Sequence, residues 1–130
     1  MDSSVVLDLV TDDPIWATWS ETQLTRLAAE TELCIDDMIY AECSVAFSRI
    51  EDFNRAIAEL GVKHLSMPRE ALFLAAKAYR RYRARGGAKT APLPDFFIGA
   101  HAAVSGLRLL TRDPRRVRDH FPTVAITSPQ

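Results

Sequence analysis

Four acidic side chains stand at positions where a folded chain could bring them together. They are Asp2, Glu42, Asp95 and Asp113. Asp113 follows an apolar run at 107–110 that predicts a strand, and Glu42 belongs to a predicted helix after a similar run at 33–35. In open parallel sheets, functional groups collect beyond the carboxyl ends of the strands. We therefore expect these four acids to converge.

Converging carboxylates need compensation, because two of them repel by about 4 kcal/mol at ~4 Å in an effective dielectric near 20. A proton or a cation must supply it. Ligands that are all oxygen atoms favour Mg²⁺ or Mn²⁺. Zinc is disfavoured, because the histidines are scattered and neither cysteine is spaced with one as a ligand set. A magnesium or manganese site of this kind suits phosphodiester hydrolysis, since the metal activates water and stabilises phosphoryl charge.

Asp95 is the acid with the most informative surroundings. Pro94 and the apolar residues 96–98 flank it, and because these residues prefer burial, the carboxylate needs a partner. Each acid taken alone also fits a solvated charge or a helix cap, since 17 of the 130 residues are acidic. His101 follows Asp95 by one to two helical turns, and we expect it to be packed or hydrogen-bonded rather than a general base.

Short apolar runs alternate with helical patterns along the chain. Strands are predicted at 33–35, 62–65, 107–110 and 124–126. Helix start signals stand at Asp2, Pro14, Asp36, Glu51, Pro68, Pro94 and Asp113. This alternation predicts an α/β fold, a three-layer α/β/α domain with a short central parallel sheet. At 130 residues, we expect one domain spanning residues 1–130.

The composition excludes some classes of protein. The net charge of −1 gives no global attraction to nucleic acid or to an anionic membrane. No apolar stretch reaches the ~20 residues that a bilayer span requires, and no secretory signal is evident. Cys34 and Cys43 form neither a CxxC pair nor a disulfide framework, which is typical of buried small side chains in a reducing compartment. We therefore expect a cytoplasmic protein without a membrane segment.

Four segments of the sequence together resemble a known family. They read DSSVVLDL, YAECS, LPDFFIGAHAAVSGL and LLTRDPRRV, in this order. They resemble the PIN domain, and more closely the VapC toxins of bacterial type II toxin–antitoxin pairs, over nearly the whole chain. The resemblance implies a catalytic and metal-binding tetrad of Asp2, Glu42, Asp95 and Asp113. It also implies that the hydroxyls of Ser4 and Thr111 support these acids.

The same resemblance implies an activity. The expected protein is a Mg²⁺- or Mn²⁺-dependent endoribonuclease that cuts structured RNA of the tRNA or ribosomal RNA class. It would be a homodimer, neutralised by a cognate VapB-like antitoxin. Arg112, Arg115 and Arg116 surround Asp113 and are candidates for contacts with RNA phosphates. Two alternatives are a PIN-like protein that binds RNA or an antitoxin without cutting, and a structure-specific DNA nuclease.

The start of the chain departs from the family pattern. Members normally have a hydrophobic strand before the first aspartate, whereas only Met1 precedes Asp2 here. Because that strand is central in the family's sheet, we expect its neighbours to be unpaired and Asp2 to be poorly anchored. Either the natural start lies upstream of Met1, or the N-terminus is rearranged.

Overall fold

The computed structural model describes residues 1–87 and 93–129, and helices alternate with short strands along them. The elements are α1 (Ser3–Val10), α2 (Ala17–Ala28), β1 (Leu33–Asp36), α3 (Asp37–Ser44), α4 (Ile50–Glu59), β2 (Val62–Leu65), α5 (Arg69–Ala84), α6 (Leu93–Ser105), β3 (Leu109–Leu110), α7 (Arg115–His120) and β4 (Ile126–Thr127). This order confirms the predicted α/β class. The sequence also predicts a loop at 86–92, and residues 88–92 of it lie outside the described residues.

The strands pair in parallel, as predicted. In one pair β1 lies beside β2, with Leu33 opposite Val62, and in the other β3 lies beside β4. Parallel neighbours require a long crossover, which the intervening helices provide. Among the described residues, the strands form two separate two-stranded sheets rather than one continuous sheet.

The first two residues bridge the two sheets. The Met1 α-amine donates a hydrogen bond of 2.8 Å to the carbonyl of Cys34 in β1, and the Asp2 N–H donates one of 2.8 Å to the carbonyl of Leu110 in β3. Burial lowers the pKa of the Met1 amine, because the charged form loses its hydration. Among the described residues, β1 and β3 are not unpaired as expected, since each pairs with one other strand, but they do not pair with each other. The expectation that Asp2 would be poorly anchored is wrong.

Local signals set most element boundaries. Asp36 caps α3, since its Oδ1 accepts a hydrogen bond of 3.0 Å from the N–H of Ile39. Gly61 and Gly106 follow α4 and α6 with φ of +72° and +64°, a conformation that glycine adopts without strain. The helix predicted from Pro14 begins instead at Ala17.

The later start of α2 has a specific cause. Asp13 Oδ1 accepts hydrogen bonds of 2.8 Å from the N–H groups of both Ile15 and Trp16, which holds these residues in a turn before the helix. The sequence also predicts that α3 extends to about Arg49. This prediction is wrong, since the helix ends at Ser44.

The core lies between the strands and the helices. Its largest fully buried side chains include Phe53, Phe96 and Ile35. The apolar pattern after Pro68 predicts a stripe on α5 that includes Leu72 and the alanines at 71, 75 and 78. The alanines are buried, whereas Leu72 is 41% exposed. Small side chains on this face let α5 approach α6 closely. No helix in the described part of the chain is long and apolar enough to cross a membrane.

Gly99 in α6 provides a test of this packing. A Cβ atom added there would lie 2.4 Å from the ring of Phe121, which is buried. We expect Gly99→Ala to reduce the free energy of unfolding by about 1–3 kcal/mol, because the ring must move within a close-packed core. Urea unfolding followed by circular dichroism measures this. Ser105→Ala, an exposed change in the same helix, is the control and should unfold near the wild-type midpoint. Equal midpoints for the two variants would contradict the packing.

Candidate functional site

Asp2 is held at the N-terminus of α1 by two hydroxyl groups. Its Oδ2 accepts a hydrogen bond of 3.0 Å from Ser4 Oγ and one of 2.7 Å from Thr111 Oγ1. Its backbone N–H is bonded to β3, as described above. The carboxylate is therefore fixed from both sides, by its own helix and by the residue that follows β3.

The segment after β3 is held by the same hydroxyls. Thr111 is fully buried, and its Oγ1 accepts a hydrogen bond of 3.1 Å from the N–H of Asp113. Ser4 Oγ accepts one of 3.3 Å from the N–H of Arg112. Each hydroxyl thus donates to Asp2 and accepts from this segment. Asp113 itself is exposed, at the rim of the site.

Glu42 occupies the half-buried centre of the candidate site. Its Oε1 is buried and has no hydrogen-bond partner among the described residues. Burial raises the pKa of the Glu42 carboxyl, and the negative charges of Asp2, Asp95 and Asp36 raise it further, against a hydrogen bond from the Ser3 side chain. An extra proton or cation would therefore be stabilised at Glu42.

Asp95 completes the group of interacting acids. It lies in the first turn of α6, which packs against α3, and its charge acts on Glu42 together with that of Asp2. Three of the four predicted acids therefore share one region. Asp113 is joined to them through the hydrogen bonds of Thr111, rather than through the charges that raise the pKa of Glu42.

The donor set fits a hydrated divalent cation. All four candidates are carboxylates, and the buried Glu42 Oε1, which has no partner among the described residues, could accept a cation or a metal-bound water. Across residues 1–87 and 93–129, however, no three Asp, Glu, His or Cys side chains stand close enough to hold a metal ion between them. Mg²⁺ commonly keeps several waters and uses only one or two carboxylates, which agrees with such a spread.

His101 is a structural histidine, as predicted. Its Nδ1 lies 3.1 Å from Asp36 Oδ2, and both side chains are about 5% exposed. The other oxygen of Asp36 caps α3. This pairing fixes the imidazole between β1 and α6 and leaves it no exposed face for general base chemistry.

Asp8 is a carboxylate that sequence reasoning missed. It lies in α1 and is 2% exposed, and its Oδ2 accepts a hydrogen bond of 2.8 Å from Ser20 Oγ. The Nε of Arg112 lies 2.8 Å from the same oxygen, although its N–H does not point directly at it. The sequence does contain an indication of this role, because Asp8 falls on the apolar side of a predicted helix, where a buried carboxylate needs a partner.

The three arginines proposed to contact RNA are placed differently. The Arg112 side chain is 30% exposed, packs over the Trp16 ring at 5.1 Å and pairs with Asp8. Arg115 is exposed at the start of α7. The side chain of Arg116 lies outside the described part of the structure. Contact of these residues with RNA stays a prediction.

The fold matches several solved structures. A toxin–antitoxin complex, VapBC2 from Rickettsia felis bound to a promoter DNA fragment, gives a TM-score of 0.75 at 13% identity over 99% of this chain and 96% of that chain. VapBC-1 from nontypeable Haemophilus influenzae gives 0.70 at 16% identity, over 98% and 94%. A toxin–antitoxin complex from Klebsiella pneumoniae gives 0.71 at 18% identity, over 99% and 95%. At these identities, the likeness establishes the fold.

Comparison with families is more specific. No curated protein matches the sequence. The model of the PIN domain family matches residues 1–120, nearly the whole chain, including all four acids that converge on or border the site. The chain therefore belongs to the PIN domain family.

Proposed function

We propose that this protein is a Mg²⁺- or Mn²⁺-dependent endoribonuclease of the VapC type, the toxin of a toxin–antitoxin pair. The observation that carries the proposal is the buried Oε1 of Glu42, which has no hydrogen-bond partner among the described residues and lies near Asp2 and Asp95. Burial and the charges of these acids raise the pKa of the Glu42 carboxyl, so a bound cation would stabilise its charged form. Membership of the PIN domain family, and a fold shared with chains of three toxin–antitoxin complexes, support the assignment.

In this proposal the four acids bind the ion, directly or through its bound waters, and orient the reacting groups. A bound Mg²⁺ or Mn²⁺ would supply an activated water and stabilise negative charge on the phosphoryl oxygens. Ser4 and Thr111 restrict the rotation of the Asp2 carboxylate by donating to its Oδ2. Glu42 holds a proton to higher pH than an ordinary glutamate in the metal-free site, so it releases that proton when a cation is taken up.

The proposed substrate is structured RNA of the tRNA or ribosomal RNA class. The protein has a net charge of −1, so attraction to phosphates must be local. Arg115 and the exposed part of Arg112 lie on either side of Asp113 in the sequence and place positive charge at the rim of the acidic site. These side chains can contact flanking phosphates while the acids act on the scissile one.

The proposed partners are a cognate VapB-like antitoxin and a second copy of the chain. An antitoxin's basic side chain would compensate the acids in place of a metal ion. Large apolar side chains remain exposed on the described surface, among them Ile15, Val45 and Phe73. Exposed apolar area of this kind is typical of surfaces that bind other proteins.

A second candidate is a PIN-like protein that binds RNA or an antitoxin without cutting. The spacing of the acids favours it, because no three of the described Asp, Glu, His and Cys side chains are close enough to hold an ion between them. Isothermal titration with Mn²⁺ separates the two candidates. Specific binding supports the nuclease, and its absence supports the binding protein.

Asp95→Asn tests the nuclease. The variant keeps the shape of the side chain but removes a charge from the acids, and we expect RNA cleavage to fall by about 100-fold or more, since several kcal/mol of transition-state stabilisation are lost. Cleavage of total tRNA and ribosomal RNA in Mn²⁺ measures the rate. Growth inhibition on expression without an antitoxin should disappear in parallel.

Asp119→Asn, which removes an exposed carboxylate in α7, is the matched control and should retain wild-type cleavage. Wild-type activity in Asp95→Asn would contradict the assignment. Parallel digestions of single-stranded and flap DNA identify the substrate class. Faster cleavage of DNA than of RNA would replace the ribonuclease with a structure-specific DNA nuclease.

Glu42→Gln tests the electrostatic basis of the site. In EDTA, the variant should melt about 3 °C above the wild type, because it buries no charge beside Asp2 and Asp95. Mn²⁺ should raise the melting temperature of the wild type but not that of the variant. Glu59→Gln, an exposed change in α4, should behave as the wild type does.

The pH dependence in EDTA has a defined sign. The folded-state pKa of Glu42 lies above its ordinary value of 4.5, so the folded state binds more protons than the unfolded state in the window between them. Wild-type stability therefore falls, relative to Glu42→Gln, as pH rises from about 4.5 through the folded-state pKa. If the stability of the wild type relative to Glu42→Gln rose instead as pH increased through this window, the surroundings would stabilise the charged form of Glu42, and the assignment would be contradicted.

A further inference from the structure

The carboxylate of Asp8 lies outside the acid tetrad, yet it is more deeply buried than any of those acids. One of its oxygens, Oδ2, accepts a hydrogen bond of 2.8 Å from Ser20 Oγ and also lies 2.8 Å from Nε of the Arg112 guanidinium. A buried carboxylate is costly unless it is paired and hydrogen-bonded. The pairing with Arg112 therefore constrains where Arg112 can lie.

Arg112 stands between two residues of the candidate site, Thr111 and Asp113. Its backbone N–H is bound by Ser4, and its guanidinium lies between Asp8 and the face of the Trp16 ring. A cation over an indole ring adds a further attraction. The residue is thus held at its backbone and at the end of its side chain.

Apart from the contact with Trp16, these contacts come from the short helix α1 or from Asp2 just before it. Asp2 and Ser4 at its start bind residues 110–112, and Asp8 six residues after Asp2 binds the side chain of Arg112. β3 spans only Leu109–Leu110, and its hydrogen bonds to β4 extend one residue further, from the N–H of Thr111 to the carbonyl of Thr127. Beyond Thr111, the backbone N–H groups of Arg112 and Asp113 donate to Ser4 Oγ and to Thr111 Oγ1, and both hydroxyls donate to Asp2. The position of Asp113 therefore depends on α1 as well as on β4.

We infer that Asp8 is a positioning residue for the acid tetrad, which acts through Arg112 to fix Asp113 relative to Asp2. This inference rests on the proposed metal-dependent nuclease. In this arrangement the Nε side of the Arg112 guanidinium faces Asp8, so only the exposed part of the side chain is available to contact a phosphate.

Asp8→Asn is the direct test, because it removes the charge while an amide oxygen can still accept from Ser20. We expect cleavage at saturating Mn²⁺ to fall about 10- to 100-fold and the Mn²⁺ concentration for half-maximal activity to rise by a similar factor, as for loss of a residue that orients metal ligands. A purely structural ion pair would lower stability without moving the Mn²⁺ dependence.

Ser20→Ala is the matched control, because it removes the other partner of the same oxygen and leaves the pair with Arg112 intact. It should lower the urea midpoint but keep the wild-type Mn²⁺ dependence. All rates are measured well below each variant's unfolding midpoint. If Asp8→Asn does not fold, Arg112→Lys keeps the charge but not the guanidinium geometry, and it should show the same loss of rate at saturating Mn²⁺.

The double variant Asp8→Asn/Arg112→Gln tests whether Asp8 acts through Arg112. If it does, the double variant loses no more rate at saturating Mn²⁺ than Arg112→Gln alone, because the two changes break one interaction. If instead the rate losses of the two single changes multiply in the double variant, the inference is overturned. A folded Asp8→Asn variant with the wild-type rate and Mn²⁺ dependence would also overturn it.

Mn²⁺ affinity separates this inference from the proposed function. Titration of wild type and Asp8→Asn with Mn²⁺ alone requires no RNA cleavage. A wild type that binds Mn²⁺ but cuts no RNA overturns the ribonuclease, while a weaker affinity in Asp8→Asn still supports positioning. Equal affinities in the two proteins would overturn the role of Asp8.

Discussion

The first two residues connect the two sheets. The Met1 amine is bonded to β1 and the Asp2 N–H to β3, while the Asp2 carboxylate accepts from Thr111, 109 residues later in the chain. Because β1 and β3 do not pair with each other among the described residues, these contacts determine how β1 and α3 stand relative to the segment after β3. The candidate site lies between the two sheets, so its geometry depends on the same contacts.

The site combines strongly anchored groups with an acid whose pKa is raised. Hydroxyls and backbone groups hold Asp2 and the segment 111–113, whereas Glu42 has a buried oxygen without a hydrogen-bond partner in the described part of the chain. Burial and neighbouring acids both raise the pKa of Glu42, so the metal-free site is electrostatically unfavourable. Proteins retain such arrangements at functional sites, where a ligand restores the balance. By contrast, Asp36 and Asp8 are buried acids with defined partners, since Asp36 shares a hydrogen bond with His101 and Asp8 lies beside the guanidinium of Arg112.

Local sequence patterns predicted the elements well and their ends less well. The strand predicted at 62–65 is confirmed, because a short apolar run is a local property of the sequence. The start of α2 was misplaced because Asp13 binds the N–H groups of residues 15 and 16, and Leu72 proved exposed because neighbouring alanines pack instead. Such outcomes depend on competing contacts that a periodic pattern does not contain.

The sequence by itself determined the class of fold, the resemblance to the PIN domain and the identity of the four candidate acids, since these follow from residue types and their order. Only the tertiary structure decided how Asp2 is anchored, which acids raise the pKa of Glu42, and that Asp8 pairs with Arg112. Each of these depends on distances between residues far apart in the chain. Burial changes the energy of a carboxylate, and burial is known only once the helices and strands have packed together.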